Sequence, residues 1–153
     1  MKRRMQGQVA LITGGVRRIG RATALALAEE GAKIVINTRS SRPEAEAVAS
    51  EVASLGSEAM VHLADVTDES EVSGMFAAIR ERFGRLDVLV NNAANRRQSP
   101  LTEMSYKEWR EITNVILDGA FLCARGALPI MIEGRGGTIV NIGGMTGHTG
   151  AAN

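Results

Sequence analysis

The sequence is poor in cysteine, aromatic residues and proline. Cys123 is the single cysteine in 153 residues, so no intrachain disulfide can form, and a reducing compartment suits the chain. Aromatic side chains make up only 3% and prolines number 3, so a core must be assembled mainly from Ala, Val, Leu and Ile. Charge of one sign is missing too. Lys and Arg total 18 against 17 Asp and Glu, a net charge of +1, and no bulk field draws the chain to nucleic acid or a membrane surface. No long apolar run follows the basic start Met1-Lys2-Arg3-Arg4, and Val9-Ala10-Leu11-Ile12 is too short for a signal segment or a membrane span. No His, Cys, Asp and Glu grouping has metal-ligand spacing. These absences point to a cytoplasmic chain with no nucleic-acid, membrane or metal partner.

Apolar residues reach 44%, enough for a packed core, and 153 residues make one domain. Glycine is abundant, at 17 residues, above the roughly 7% of average usage. Strand-like and helix-like stretches alternate. Apolar or β-branched runs at 8–13, 33–38, 59–63, 86–91 and 138–142 read as strands. Helices are predicted over 18–30, stopped by Gly31, and from Pro43, with Ala45, Val48, Ala49 and Val52 on one face. A third follows Asp68 to about Phe83, and a long one runs from Ser105 to about Met131, bent near Pro129. Asp68 with Glu71, and Ser105 with Glu108, have capping-box spacing. Strands apolar throughout imply helices on both faces, and right-handed crossovers then give an α/β Rossmann-type doubly wound parallel sheet. Five strands and four helices are expected. No helix follows the fifth strand, so the carboxyl-terminal part of such a domain is expected to be absent, leaving one face near that strand uncovered.

The turn Thr13-Gly14-Gly15-Val16-Arg17-Arg18-Ile19-Gly20 sits between the first strand and first helix. Such a turn aims free backbone N–H groups at one spot, and the helix dipole favours an anion there. Gly14 permits the bend, and Gly20, backed by Ala22 and Ala26, is expected to let the helix approach the sheet closely. A nucleotide phosphate is the expected ligand; a glycine-rich turn without a ligand is the plainer alternative. An NAD site usually carries an acid at the end of the second strand. Here that stretch is Ile36-Asn37-Thr38-Arg39-Ser40, with no acid. Arg39 and Ser40, with Arg17 and Arg18 in the turn, suit a 2′-phosphate, which favours NADP over NAD. The alternative is a set of solvated surface arginines.

These residues resemble the short-chain dehydrogenase/reductase family along the whole chain. Thr13, Gly14 and Gly20 match its TGxxxGxG motif, with Arg18 at the middle Gly, as in pteridine reductases. Asp65-Val66 resemble the pair whose acid contacts adenine. Asn91-Asn92-Ala93-Ala94 resemble NNAG, which stabilises the sheet and lines the cofactor. The resemblance implies cofactor contacts from Gly14, Gly15, Arg17, Arg18, Ile19, Gly20, Arg39, Ser40, Asp65, Val66, Asn92 and Ala93. It implies hydride transfer between NADP(H) and a small-molecule carbonyl/alcohol pair, with Asn, Ser, Tyr and Lys handling the proton side. None of those four is present here. Ile116 falls at the Asn position, Asn114 lies about 200° away around a helix, Gly144 falls at the Ser position, and the Tyr and Lys positions lie beyond Asn153.

Tyr106 opens the long helix ahead of the fifth strand and is read as packing or surface. Cys123 and His62 are read as structural. Thr146 and His148 border the expected substrate pocket and could donate hydrogen bonds there, although ordinary loop residues fit better. Arg96 and Arg97 could meet an acidic substrate, a solvated loop being the preferred reading. The 153 residues are therefore expected to be inactive alone. A nucleotide-binding module that has lost catalysis, acting as sensor or assembly subunit, is the alternative. A methyltransferase is disfavoured by the missing acid and by Asn91-Asn92-Ala93. The 105–131 helix, with Ile112, Val115 and Leu122 expected to lack cover, predicts a homo-oligomer.

Overall fold

A computed structural model describes residues 3–97, 99–144 and 149–150. It contains the parallel sheet. The strands are β1 (Val9–Thr13), β2 (Lys33–Thr38), β3 (Ala59–Leu63), β4 (Val88–Asn91) and β5 (Thr138–Asn141). Their order across the sheet is β3-β2-β1-β4-β5, every neighbouring pair parallel. Order reverses at β1, which opens a crevice at the carboxyl ends of β1 and β4.

Helices α1 (Arg18–Glu29) and α2 (Arg42–Ser54) cover one face, and α3 (Glu69–Phe83) and the long 106–133 helix cover the other. Side-chain alternation decides which. Ala10, Ile12, Ile34, Ile36 and Val90 pack with Ala24, Ala28, Val48 and Val52. Leu11, Val35 and Leu89 pack with Met75, Ile79, Cys123 and Ala127. Both faces of β1 are therefore fully buried, as its unbroken apolar run requires.

The long helix departs from the sequence expectation. It consists of α4 (Tyr106–Thr113), a π-helical turn at Asn114–Asp118, and α5 (Gly119–Glu133), with Pro129 inside α5. By length and composition it is also apolar enough to cross a membrane, contrary to the expectation of no such run. Its inner residues Cys123, Ala127, Ile130 and Met131 lie in the core beside the sheet, the position of a layer helix.

Three local expectations are corrected. The close face of α1 is Gly20, Ala24 and Ala28, whereas Ala22 and Ala26 face solvent; an i, i+4, i+8 row and not an i+2 neighbour follows Gly20. Asp68 caps α3 by accepting from the Ser70 and Glu71 amides, but Glu71 reaches back to the Asp65 amide at 2.6 Å instead of closing a box. The reciprocal box does close at Ser105 and Glu108. Finally, Ile112, Val115 and Leu122 are partly buried, Val115 and Leu122 against the core. The uncovered large residues of this helix are Tyr106, Trp109, Ile116, Leu117, Phe121, Leu128 and Ile132. Strand β5 is the other thinly covered place, with Val140 exposed.

Candidate functional site

Thr13 ends β1 with its hydroxyl at the centre of a small network. Thr13 Oγ1 donates to the Val90 carbonyl at 3.4 Å and accepts from the Asn92 and Ala93 amides at 3.0 Å each. The Asn92 side chain then donates to the carbonyls of Thr13 and Gly14, both at 3.0 Å. Residues of the β4 end thus clamp the glycine turn to the sheet. The Gly15 amide donates to the Asn37 carbonyl at 3.0 Å, which ties the turn to β2.

Within that clamp the backbone takes two left-handed steps, Gly14 at φ +62° and Arg18 at φ +48°. Arg18 thus keeps a glycine-like conformation at a position where the family motif usually has Gly, and adds a cation. Gly20 is held by space: a Cβ there would lie 2.4 Å from the Gly14 carbonyl oxygen and 2.6 Å from Asn92 Nδ2. Helix α1 begins with no side-chain cap and no acid in its first turn. Helices α3 and α4 are both capped and both carry acids there. An uncapped, acid-free helix start with arginines beside it suits an anion.

Arg17, Arg18 and Ile19 are exposed on the turn, and Arg39 and Ser40 are exposed just beyond β2. The structure brings Asp65 to the same edge, 3.8 Å from Arg39, whose side chain stays 74% exposed. Asp65 Oδ1 accepts from the amide and hydroxyl of Thr67. Val66 is buried, packed so closely under Gly119 that a Cβ there would lie 2.8 Å from Val66 Cγ2. The turn offers the free amides of an uncapped helix start to an anion, and Arg39 sets an exposed cation on its β2 side.

Sequence reasoning missed Asn37. It is buried in β2, and its amide donates to the Ala64 carbonyl at 3.0 Å and the His62 carbonyl at 3.4 Å, pinning the ends of β2 and β3 together. The available signal was a polar residue in an otherwise apolar strand. Asn91 likewise donates to Asn141 Oδ1 at 2.9 Å, joining β4 to β5.

The other candidates fall away from proton chemistry. Tyr106 is exposed at the start of α4. Cys123 is buried, and burial pushes its thiol up to about 12. Burial, then the positive charge of Arg42, lowers the His62 pKa. Arg97 pairs with Glu111 at 3.3 Å and Glu108 at 3.7 Å, which ties its loop to α4. Ile116 lies in the π turn, half exposed, and Gly144 is exposed after β5. Thr146 and His148 lie outside the described residues. No metal-binding cluster occurs among the described residues.

Residues 8–153 match the pattern of the short chain dehydrogenase family. The chain is 40% identical over 152 residues to a 3-oxoacyl-[acyl-carrier-protein] reductase of Synechocystis sp., covering 97% of this chain and 62% of that one. It also resembles a metagenomic short-chain oxidoreductase solved with NADP (TM-score 0.90, 34% identity, 97% of this chain and 67% of that one). NAD+-bound xylitol dehydrogenase is similar too (TM-score 0.93, 33% identity, 98% of this chain and 58% of that one). The chain thus spans about three-fifths of the length of the curated reductase it matches. With the glycine turn, the Asn92 clamp and the parallel sheet in place, the chain belongs to the short-chain dehydrogenase/reductase family of oxidoreductases.

Proposed function

We propose that this chain binds NADP(H) at the β1–α1 turn and serves hydride transfer between that coenzyme and a carbonyl/alcohol substrate. The observation that carries the reading is the uncapped, acid-free start of α1, set by Gly14 and Arg18 and flanked by Arg17, Arg39 and Ser40. The α1 amides would take the diphosphate. Arg39 and Ser40, with Arg17 and Arg18, would take the 2′-phosphate. Asp65 would face the adenine, and Ala93, Asn92 and Ile19 would border the crevice. When bound, the coenzyme supplies or accepts the hydride. Asn92 and Thr13 act by holding the turn in shape, and Val66 by fixing the crevice wall.

The proton side is not provided by the residues that align with the family's catalytic Asn and Ser, which are Ile116 and Gly144. The 153 residues alone are therefore expected to show no carbonyl reduction. The same two residues favour the second reading, a nucleotide-binding module without catalysis. A 3-oxoacyl thioester, the substrate class named for the Synechocystis relative, is one substrate to assay with a longer chain. The reading puts the protein in the cytoplasm and makes it a homo-oligomer through the 105–131 helix.

Fluorescence titration tests the coenzyme. NADPH should bind more tightly than NADH, and Arg39→Ala should weaken NADPH about tenfold or more, the loss of one charge-assisted contact of roughly 1.5–3 kcal/mol, while leaving NADH nearly unchanged. Tighter NADH binding would refute the NADP assignment.

A further inference from the structure

The carboxyl ends of β2 and β3 are fastened to each other past their last strand residues. Thr38 pairs with Leu63 in register, and the Ala64 amide donates to the Thr38 carbonyl at 3.1 Å. The buried Asn37 side chain donates to the Ala64 carbonyl at 3.0 Å. Arg39 and Asp65 come next on the two chains, so this ladder sets them side by side.

The two differ in how they are held. Asp65 is engaged at every polar atom but one. Its amide donates to Glu71 Oε2 at 2.6 Å, and its carbonyl accepts from the Asp68 amide at 3.0 Å. Its Oδ1 accepts from the Thr67 amide at 2.9 Å and the Thr67 hydroxyl at 2.7 Å. Oδ2 is left, and it lies 3.8 Å from Arg39 Nη1. That is an attraction without a hydrogen bond. Arg85 and Asp87 show the contrast, a two-pronged pair at 2.9 and 2.6 Å. The Arg39 side chain is 74% exposed against 29% for Asp65, so an open guanidinium lies beside a carboxylate locked in place.

We propose that Asp65 is a specificity-determining residue for the coenzyme: its locked carboxylate competes with a 2′-phosphate for the Arg39 guanidinium, and so holds the preference for NADPH over NADH below what the arginines alone would give. The inference rests on the coenzyme reading above. A phosphate and a carboxylate suit the same fork of N–H donors, and as like charges they repel each other. The 2′-hydroxyl of NADH is uncharged and does not compete for the fork. An exposed ion pair is worth up to about fivefold in an equilibrium constant, so Asp65 tempers the preference and does not reverse it. Asn at this position would keep the shape and an oxygen for Thr67 to donate to, and would remove the charge.

Fluorescence titration of NADPH and NADH against the parent chain, Asp65→Asn, Arg39→Ala and the double variant tests this. At low ionic strength Asp65→Asn should tighten NADPH about two- to fivefold and leave NADH within about twofold. Most of that gain should vanish in the Arg39→Ala background. NADPH binding that is unchanged or weakened in Asp65→Asn, an equal change for both coenzymes, or a gain just as large without Arg39 would overturn the proposal. Circular dichroism checks that each variant is folded, and Asp65→Ser, with the same expected gain, replaces an Asp65→Asn that is not. A parent chain that binds neither coenzyme sinks the coenzyme reading and this inference with it. A parent that binds NADPH while Asp65→Asn shows no gain sinks this inference alone.

Discussion

Gly20 has no room for a methyl group. The atoms a Cβ would meet are the Gly14 carbonyl and the Asn92 amide, and both are fixed by the clamp on Thr13. Gly20→Ala must therefore push α1 away from the turn, and is expected to cost about 1–3 kcal/mol, the range for overpacking. It should also weaken NADPH binding, because the displaced amides are the proposed diphosphate site. Gly74 is the control. It lies inside α3 with nothing within 4 Å of the place a methyl group would take, so Gly74→Ala should raise stability by roughly 0.5–1 kcal/mol. Denaturant midpoints of the two variants check the pair; equal effects would remove the steric account of Gly20. Arg18 illustrates a different balance. Its φ of +48° is unfavourable for a side chain, yet it places a guanidinium at the α1 start where glycine would bring none.

Helices and strands are legible wherever a residue pattern has one physical meaning. Lys33–Thr38 can be read to the residue because its β-branched run allows little else, and Ala59–Leu63 because a short, largely apolar run lies between Gly56 and Asp65. The glycine turn is legible because its position after β1 matters as much as its letters. The close face of α1 is not, since alternating Ala and Leu fit several helical faces and only the sheet selects one. The π turn is hidden because it is a hydrogen-bond pattern and not a composition. The Arg39–Asp65 proximity joins two loops that are distant in sequence. The N-terminal segment gives no sequence signal of its role. It straps the ends of α1 and α2: Arg3 donates to the Leu55 carbonyl at 3.0 Å, the Met5 amide to the Glu30 carbonyl at 2.9 Å, and Arg4 to the Glu30 carboxylate. The Arg4 side chain, then its backbone amide, lowers the Glu30 pKa from 4.5 to about 2. A folded-state pKa below the unfolded value gives stability that is complete above the unfolded pKa and disappears as pH falls through the folded one. Arg4→Ala should thus be less stable than the parent at pH 7. The gap should narrow below about 4.5 and close near 2, following the two limits of the Glu30 titration. Denaturant midpoints across that range test it; a gap independent of pH would show that Arg4 acts otherwise than by pairing with the Glu30 carboxylate, and no gap at all would leave the strap to Arg3 and Met5.

At the scale of the whole molecule, one surface is out of keeping with the rest. Leu117, Phe121, Leu128 and Ile132 recur at intervals of four, seven and four, which aligns them on a single face of the 106–133 helix, and all are exposed. Trp109 and Tyr106 are exposed on the same helix. The opposite face, through Cys123, Ala127 and Ile130, is already buried in the core. A helix apolar on both sides requires cover on both. An apolar strip of this length exceeds what a soluble monomer usually leaves in contact with water. Ion pairs fringe it, Arg110 with Asp118 and Arg125 with Glu69, and the Arg125 guanidinium lies 5.5 Å from the Phe121 ring centre. Apolar centre and charged rim are the ordinary anatomy of an association surface. The homo-oligomer proposed above should therefore bury this strip, and the pair Phe121→Glu and Leu128→Glu should break it. Sedimentation velocity is expected to show the parent chain as a dimer or larger and the double variant as a monomer, with unchanged far-ultraviolet circular dichroism. A parent chain that sediments as a stable monomer would reject self-association. A double variant that loses its helical signal would instead assign the strip to packing within one chain.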